Sequence, residues 1–388
     1  MTLDSTMISD RLSEISSYFH HQDYSLAVRR LLDISLDIRK PELILKSIAL
    51  SEYYNGEVKG KDSADSINAF LAKANELLQM MSSERLILHS TESLVTVDQI
   101  SKTYLSGNFT LNPVSLHVST GDILGVVGEN GNGKTTLLRC LAGQLAIDGG
   151  TIHHQSVKEK GYYAIKHQVA FIPQRISRWY GLLKDNLHFS AAIAGVNGQE
   201  NELMVDFMVE RLGLGSYSHL TWNQISSGYR TRFEIARVLL QKPSLLILDE
   251  PLANLDINAQ QTILTDLKFL AKSINHPMGI VLSSQQLHEV EKIADNVLFI
   301  KQGSCLFQTK EKKEMIVSSV LELETTAGRE EIFRILGEDK VSIQFNGGFF
   351  TITSAAYSVK DILEKLVSHQ VSMTYFRDIT YSTKRLFN

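Results

Sequence analysis

Residues 128–136 read GENGNGKTT and follow directly on the apolar run Ile123–Val127, ILGVV. Three glycines in six positions lose backbone entropy that an ordinary strand-to-helix connection need not lose. The spacing Gly128, four residues, Gly133, Lys134, Thr135 fits a phosphate-binding loop between a buried strand and the helical segment TTLLRCLAG. Glycines at these places let backbone N–H groups turn inward around a polyphosphate. The helix starting near Gly133 adds its unpaired N–H groups and the positive end of its dipole. Lys134 would neutralise the β- and γ-phosphates, and the Thr135 hydroxyl would hold Mg²⁺. The candidate nucleotide-binding residues are therefore Gly128, Glu129, Asn130, Gly131, Asn132, Gly133, Lys134, Thr135 and Thr136. The loop alone implies a nucleotide and leaves its use open.

A second set of residues supplies what that loop lacks. PSLLILDEPLANLD, Pro243 to Asp256, reads as a buried strand over 245–248 that delivers two adjacent carboxylates to its carboxyl end. Asp249 would bind Mg²⁺, directly or through water. Glu250 would orient and deprotonate an attacking water, the arrangement that phosphoryl transfer to water requires.

Composition narrows the setting. The chain has 388 residues, room for two or three domains, with an ordinary hydrophobic share of 43% and charged share of 21%. Its formal net charge of −4 leaves no basic footprint, so no nucleic-acid partner is expected. Cys140 and Cys305 have neither metal nor disulfide spacing, which points to a reducing compartment. The start MTLDSTMISDRLSEISSYF is acidic and has no basic-then-apolar signal pattern. No apolar run approaches the ~18 residues that span a bilayer, so any membrane role is expected to run through a partner.

Three textures divide the chain. Residues 1–88 carry apolar positions at helical spacing: Phe19, Ala27, Leu31, Leu32 and Ile34, then Leu43, Leu45, Ile48 and Leu50, then SADSINAFLAKANELLQMM with a capping serine at Ser63 or Ser66. An amphipathic helical domain for packing or contacts is expected there, since no polar constellation stands out. Residues 92–308 alternate β-rich runs with helices; ILGVV, QVAFIP, SLLILDEP, GIVLSS and NVLFIK read as strands buried on both faces of a parallel sheet. The phosphate loop then sits at a strand's carboxyl end, where open α/β sheets bind ligands. Residues 309–388 read β-α-β-β-α-β, with the hairpin VSIQF-NGG-FFTIT in the middle, the order of the ferredoxin-like unit.

With both acidic and glycine motifs in view, residues 92–308 resemble the nucleotide-binding subunit of the ATP-binding-cassette (ABC) ATPases. Tyr104 in ISKTY stands where that family stacks an aromatic ring on adenine. Gln174, ending AFIPQ, matches the glutamine loop that contacts Mg²⁺ or its water and senses the transmembrane partner. ISSGYRTRFEIARVLLQKPSLLILDEP resembles the signature segment, and ANLD the loop whose aspartate, Asp256, crosses the dimer interface. The resemblance implies that Ser226, Ser227 and Gly228 bind the γ-phosphate of ATP held by a second subunit, and that two subunits close face to face on two ATP molecules, with Mg²⁺ as cofactor.

Two positions depart from the pattern. The signature has Ile225-Ser226-Ser227-Gly228-Tyr229, whose Ser-Ser-Gly core resembles exporters built from separate ATPase and permease chains. In GIVLSSQQLHEVEKIADNVLFI the switch histidine is replaced by Gln285, whose amide can donate a hydrogen bond but carries no charge. His288, in the following helix, is expected to face solvent. ATP binding should survive and hydrolysis should be slow. The expected function is an ATP-hydrolysing exporter subunit on the inner membrane face, gripping its permease through Gln174 and ISRWYGLLKDNLHFSAAIAG. The alternative is a soluble regulatory ATPase or interaction module.

Overall fold

The computed structural model describes residues 3–61, 63–87, 90–104, 109–155, 162–253, 255–308 and 318–380. The outer ends of the expected terminal units (1–2, 88, 309–317 and 381–388) lie outside them.

The chain opens with β1 (Leu3–Asp4), α1 (Ser5–His20), α2 (Tyr24–Ile38), α3 (Pro41–Tyr53), a π turn at Tyr54–Val58, α4 (Ala64–Ser82) and β2 (Leu86–Ile87), which pairs with β1. The first expected helical stretch is two helices. Gln22 adopts φ 62 and Asp23 caps α2, accepting from Leu26 N–H at 3.2 Å. Ser63 rather than Ser66 caps α4. Phe70 is fully buried, with ring centroids 5.8 Å from Phe19, 5.5 Å from Tyr24 and 5.6 Å from Tyr54, an aromatic centre for the bundle. Leu45 does not join the core: Leu43, Ile44 and Ile48 face inward and leave it exposed.

The body runs β3 (Ser93–Tyr104), β4 (Phe109–Ser119), β5 (Ile123–Val127), α5 (Lys134–Leu141), β6 (Gly149–His154), α6 (Tyr162–Gln168), β7 (Val169–Ile172), α7 (Leu183–Ile193), α8 (Gly198–Arg211), α9 (Ser227–Leu239), β8 (Leu245–Leu248), α10 (Ile257–Ala271), β9 (Gly279–Ser284), α11 (Leu287–Val290), β10 (Asn296–Lys301) and β11 (Ser304–Gln308). The five expected strands form the parallel part of a six-stranded sheet, order β11-β10-β5-β9-β8-β7, closed by antiparallel β11. All residues of β5, β8 and β9 are buried, as a sheet covered on both faces demands. A separate antiparallel sheet, β4-β3-β6, lies beside it.

The N-terminal helices are fused to this body by more than apolar contact. Asp33 accepts from Arg211 Nε at 2.8 Å, Asp266 takes Arg29 at 3.2 Å, and Asp37 accepts from Ser273 Oγ and the N–H groups of Ile274 and Asn275. Glu210 accepts from Ser51 and Asn55. This buried constellation of charges corrects the expectation that no polar cluster marks the N-terminal stretch. Its members come from helices far apart in sequence.

The C-terminal residues form β12 (Ser319–Thr325), α12 (Arg329–Leu336), β13 (Ser342–Asn346), β14 (Phe349–Ser354), α13 (Val359–Ser368) and β15 (Met373–Asp378). Their antiparallel sheet has the order β13-β14-β12-β15. Gly347 and Gly348 turn the hairpin at φ 58 and 92. Arg377 reaches Glu291, just after α11, at 3.7 Å.

Candidate nucleotide and catalytic site

The glycine loop leaves the carboxyl end of β5 and enters α5. A Cβ on Gly128 would meet the Ile300 carbonyl oxygen at 2.2 Å, so only glycine allows this approach to β10. Gly133 adopts φ 104, and a Cβ there would meet the Phe109 ring at 2.7 Å. Asn132 braces the loop: its side chain accepts from Gln302 N–H at 3.0 Å, and its carbonyl accepts from Gly303 N–H. That side chain is committed to loop shape, and the Asn132 N–H donates to the Glu129 carbonyl at 3.4 Å. Thr136 is buried on α5.

Lys134 is almost fully buried and its ammonium meets three acceptors. They are the Gly128 carbonyl at 2.7 Å, the Glu129 carbonyl at 3.1 Å and Glu250 Oε1 at 3.1 Å. Three N–H donors are thus matched by three oxygens. The other oxygen of Glu250 accepts from Gln285 Nε2 at 2.8 Å and Gln174 Nε2 at 3.2 Å. Glu250 itself sits at φ 49, a left-handed conformation that side chains other than glycine adopt at a cost.

Ser283, buried in β9, completes the network. Its hydroxyl accepts from Glu250 N–H at 2.8 Å and donates to Asp249 Oδ1 at 2.7 Å. Asp249 Oδ2 accepts from the Thr135 hydroxyl at 2.8 Å. A hydroxyl and a carboxylate in contact, at the end of the glycine loop, form an all-oxygen donor pair suited to a hard cation such as Mg²⁺. The residues present therefore fit Mg²⁺ with a nucleotide polyphosphate.

The expected residues Lys134, Thr135, Asp249, Glu250, Gln174 and Gln285 converge here. Tyr104 lies near the same loop, with its ring centroid 6.4 Å from Phe109, whose edge covers Gly133. Phe109 and Ser283 escaped the sequence reading. The register Tyr104↔Phe109 across β3 and β4 is the feature that pairs the two rings.

Ser226, Ser227, Gly228 and Asp256 form a different group. Ser226 is the N-cap of α9 and Asp256 that of α10, where it accepts from Ala259 N–H at 2.8 Å. The side chains nearest Gly228 are those of Leu255 and Ala259. The N-termini of α9 and α10 therefore lie side by side. His288 faces solvent as expected, with Nε2 3.0 Å from Glu289.

Comparison with known proteins identifies the family. Residues 111–253 match the family model for the ABC transporter. The chain is 27% identical over 229 residues to the phosphonates import ATP-binding protein PhnC of Treponema denticola, covering 55% of this chain and 88% of that one. It is 30% identical over 215 residues to the zinc import ATP-binding protein ZnuC of Pseudomonas savastanoi pv. phaseolicola, covering 55% and 75%. Among solved structures it resembles cbiO1 from Clostridium perfringens, part of the ABC transporter complex cbiONQ. That match has 25% identity and a TM-score of 0.50, covering 58% of this chain and 93% of that one. The chain belongs to the ABC transporter family as an ATP-binding subunit, an ATPase that uses ATP with Mg²⁺.

Proposed function

We propose that the chain is the motor subunit of a membrane exporter, working as a dimer on separately encoded permease chains at the cytoplasmic face of the membrane. The observation that carries the reading is the linked set Thr135–Asp249–Ser283–Glu250, a metal-binding pair joined through one serine to a carboxylate base. Among the described residues no helix is long and apolar enough to cross a membrane. Tyr180, Leu182, Phe189 and Ile193, within and before α7, are exposed apolar side chains suited to a permease.

In this reading Glu250 is the general base. The γ-phosphate of arriving ATP takes over Lys134, which frees Glu250 Oε1 while Gln174 and Gln285 continue to hold Oε2. Glu250 then accepts a proton from water. The water oxygen bonds to the γ-phosphorus as the bond to the β–γ bridging oxygen breaks. Thr135 and Asp249 would hold Mg²⁺, which when bound offsets charge on the phosphates. Tyr104, with Phe109 beside it, would pack on the base. Ser226, Ser227, Gly228 and Asp256, grouped around Leu255 and Ala259, would meet the nucleotide of the partner subunit.

Residues 1–88, 92–308 and 309–388 are assigned as helical, ATP-binding and ferredoxin-like domains. The strand order β13-β14-β12-β15 supports the last. Export rests on the Ser226-Ser227-Gly228 core. Import is the second reading, favoured by relatives whose names specify phosphonate, methionine and zinc import. Affinity purification from membranes should bring down a polytopic permease, and flux in vesicles carrying both chains should run outward. Recovery of the chain without any membrane protein would overturn the transport reading, and inward flux would replace export by import.

A further inference from the structure

Where α2 meets α8 and α10 there is a cavity of about 50 Å³, walled by Arg30, Asp33, Phe207, Arg211 and Phe269 among others. Arg30 and Arg211 are almost wholly buried. Arg30 lies over the Phe269 ring at 3.2 Å, so its N–H edges are turned away from that ring. Two guanidinium nitrogens here have neither a hydrogen bond nor an ion-pair contact, Arg30 Nε and Arg211 Nη2, while Arg211 Nη1 lies 3.3 Å and Arg30 Nη2 3.8 Å from Asp266 Oδ1. Among the described residues the one buried carboxylate oxygen without a hydrogen bond is Asp33 Oδ2, which lies 2.6 Å from Arg30 Nη1 as an ion pair.

The carboxylates of the seam are otherwise engaged. Asp33 Oδ1 serves Arg211 Nε, Asp266 Oδ1 serves Arg29, and Asp37 serves the turn at 273–275. Glu14, which also faces the cavity with Arg11, accepts from Tyr18. The ion-paired knot holds three arginines, 29, 30 and 211, against two aspartates, 33 and 266, while Arg11, Glu14 and Asp37 also line the cavity. Buried donors on a cation are costly when unmatched. Water would supply acceptors but no charge, whereas an anion supplies both.

We propose that this cavity binds one small inorganic anion of chloride size, held by Arg30 Nε and Arg211 Nη2. The volume admits such an ion with a water or two, since a single water needs roughly 10–15 Å³. The anion then helps fasten the N-terminal helices to α8 and α10.

The test is thermal unfolding of the full chain in sodium gluconate, with chloride or bromide exchanged in at constant ionic strength, alongside ³⁵Cl NMR linewidths. A saturable rise in Tm with chloride and bromide, and excess ³⁵Cl broadening that bromide competes away, are expected. Arg30→Met keeps an unbranched side chain against Phe269 and removes the donors, so it should lose both effects. Asp33→Asn removes a competing negative charge and should lower the chloride midpoint several-fold, an outcome that stands even if the methionine variant fails to fold. Equal Tm in gluconate and chloride without excess broadening would mean that the cavity holds water only, and would overturn the proposal.

Discussion

Replacing Gln285 perturbs one defined contact. Its amide donates to Glu250 Oε2 at 2.8 Å, while the same oxygen keeps Gln174 at 3.2 Å and the other oxygen keeps Lys134 at 3.1 Å. A hydrogen bond to a charged group is worth about 1.5–3 kcal/mol. Gln285 is exposed, and water can replace part of the lost bond, so the lower end applies. At about 1.4 kcal/mol per factor of ten, Gln285→Ala should slow hydrolysis roughly 5- to 20-fold. ATP affinity should stay near its original value, because Gln285 bonds the base and not the phosphate loop. Gln285→His can donate to the same carboxylate and also carry charge, so it should match or exceed the parent rate. Single-turnover hydrolysis at saturating ATP is the assay. In the double-mutant cycle with Glu250→Gln, the Gln285→Ala effect should largely vanish, since the group it positions is gone. An alanine variant as fast as the parent, or an equal effect in both backgrounds, would refute the positioning role.

Further outcomes follow from other parts of the molecule. Asp266→Ala strips the buried carboxylate that faces Arg29, Arg30 and Arg211, and should cost about 3 kcal/mol or more in a urea unfolding titration. Deleting residues 318–388 should leave ATP affinity within tenfold, about 1.4 kcal/mol, because the ion pair Arg377–Glu291 that ties this unit to the body involves none of the residues placed around the nucleotide; equilibrium nucleotide binding checks it. Burial pushes the Cys140 thiol up to about 11, so at pH 8 it should resist alkylation until the protein unfolds, as mass spectrometry of labelled peptides would reveal.

Much of the site was legible in the sequence because its residues are tied to strand ends. Lys134 and Thr135 follow β5, Asp249 and Glu250 follow β8, and Gln285 follows β9. Each lies where an apolar run stops, and parallel strands bring those ends together. Phe109 and Ser283 were hidden for different reasons. Ser283 lies within an apolar strand, and only the register of β9 beside β8 aims its hydroxyl at Asp249. Phe109 reaches Gly133 through the pairing of β3 with β4, strands whose bulges after Val97 and Ile100 break the two-residue alternation that marks a strand. The knot of Arg30, Asp33, Arg211 and Asp266 joins three helices, and no local spacing encodes such an encounter. Leu45 was misread because α3 shows apolar residues on more than one side, and only packing tells which side is covered.

The central claim is that Glu250 is the base of a Mg·ATP site and is released when phosphate takes Lys134. The most direct measurement is ATP binding and hydrolysis by Glu250→Gln beside the parent chain. The account predicts that binding is retained or tightened, since Lys134 loses its competing ion pair, while turnover falls by about 10²-fold or more. Turnover equal to that of the parent, with ATP bound, would contradict it.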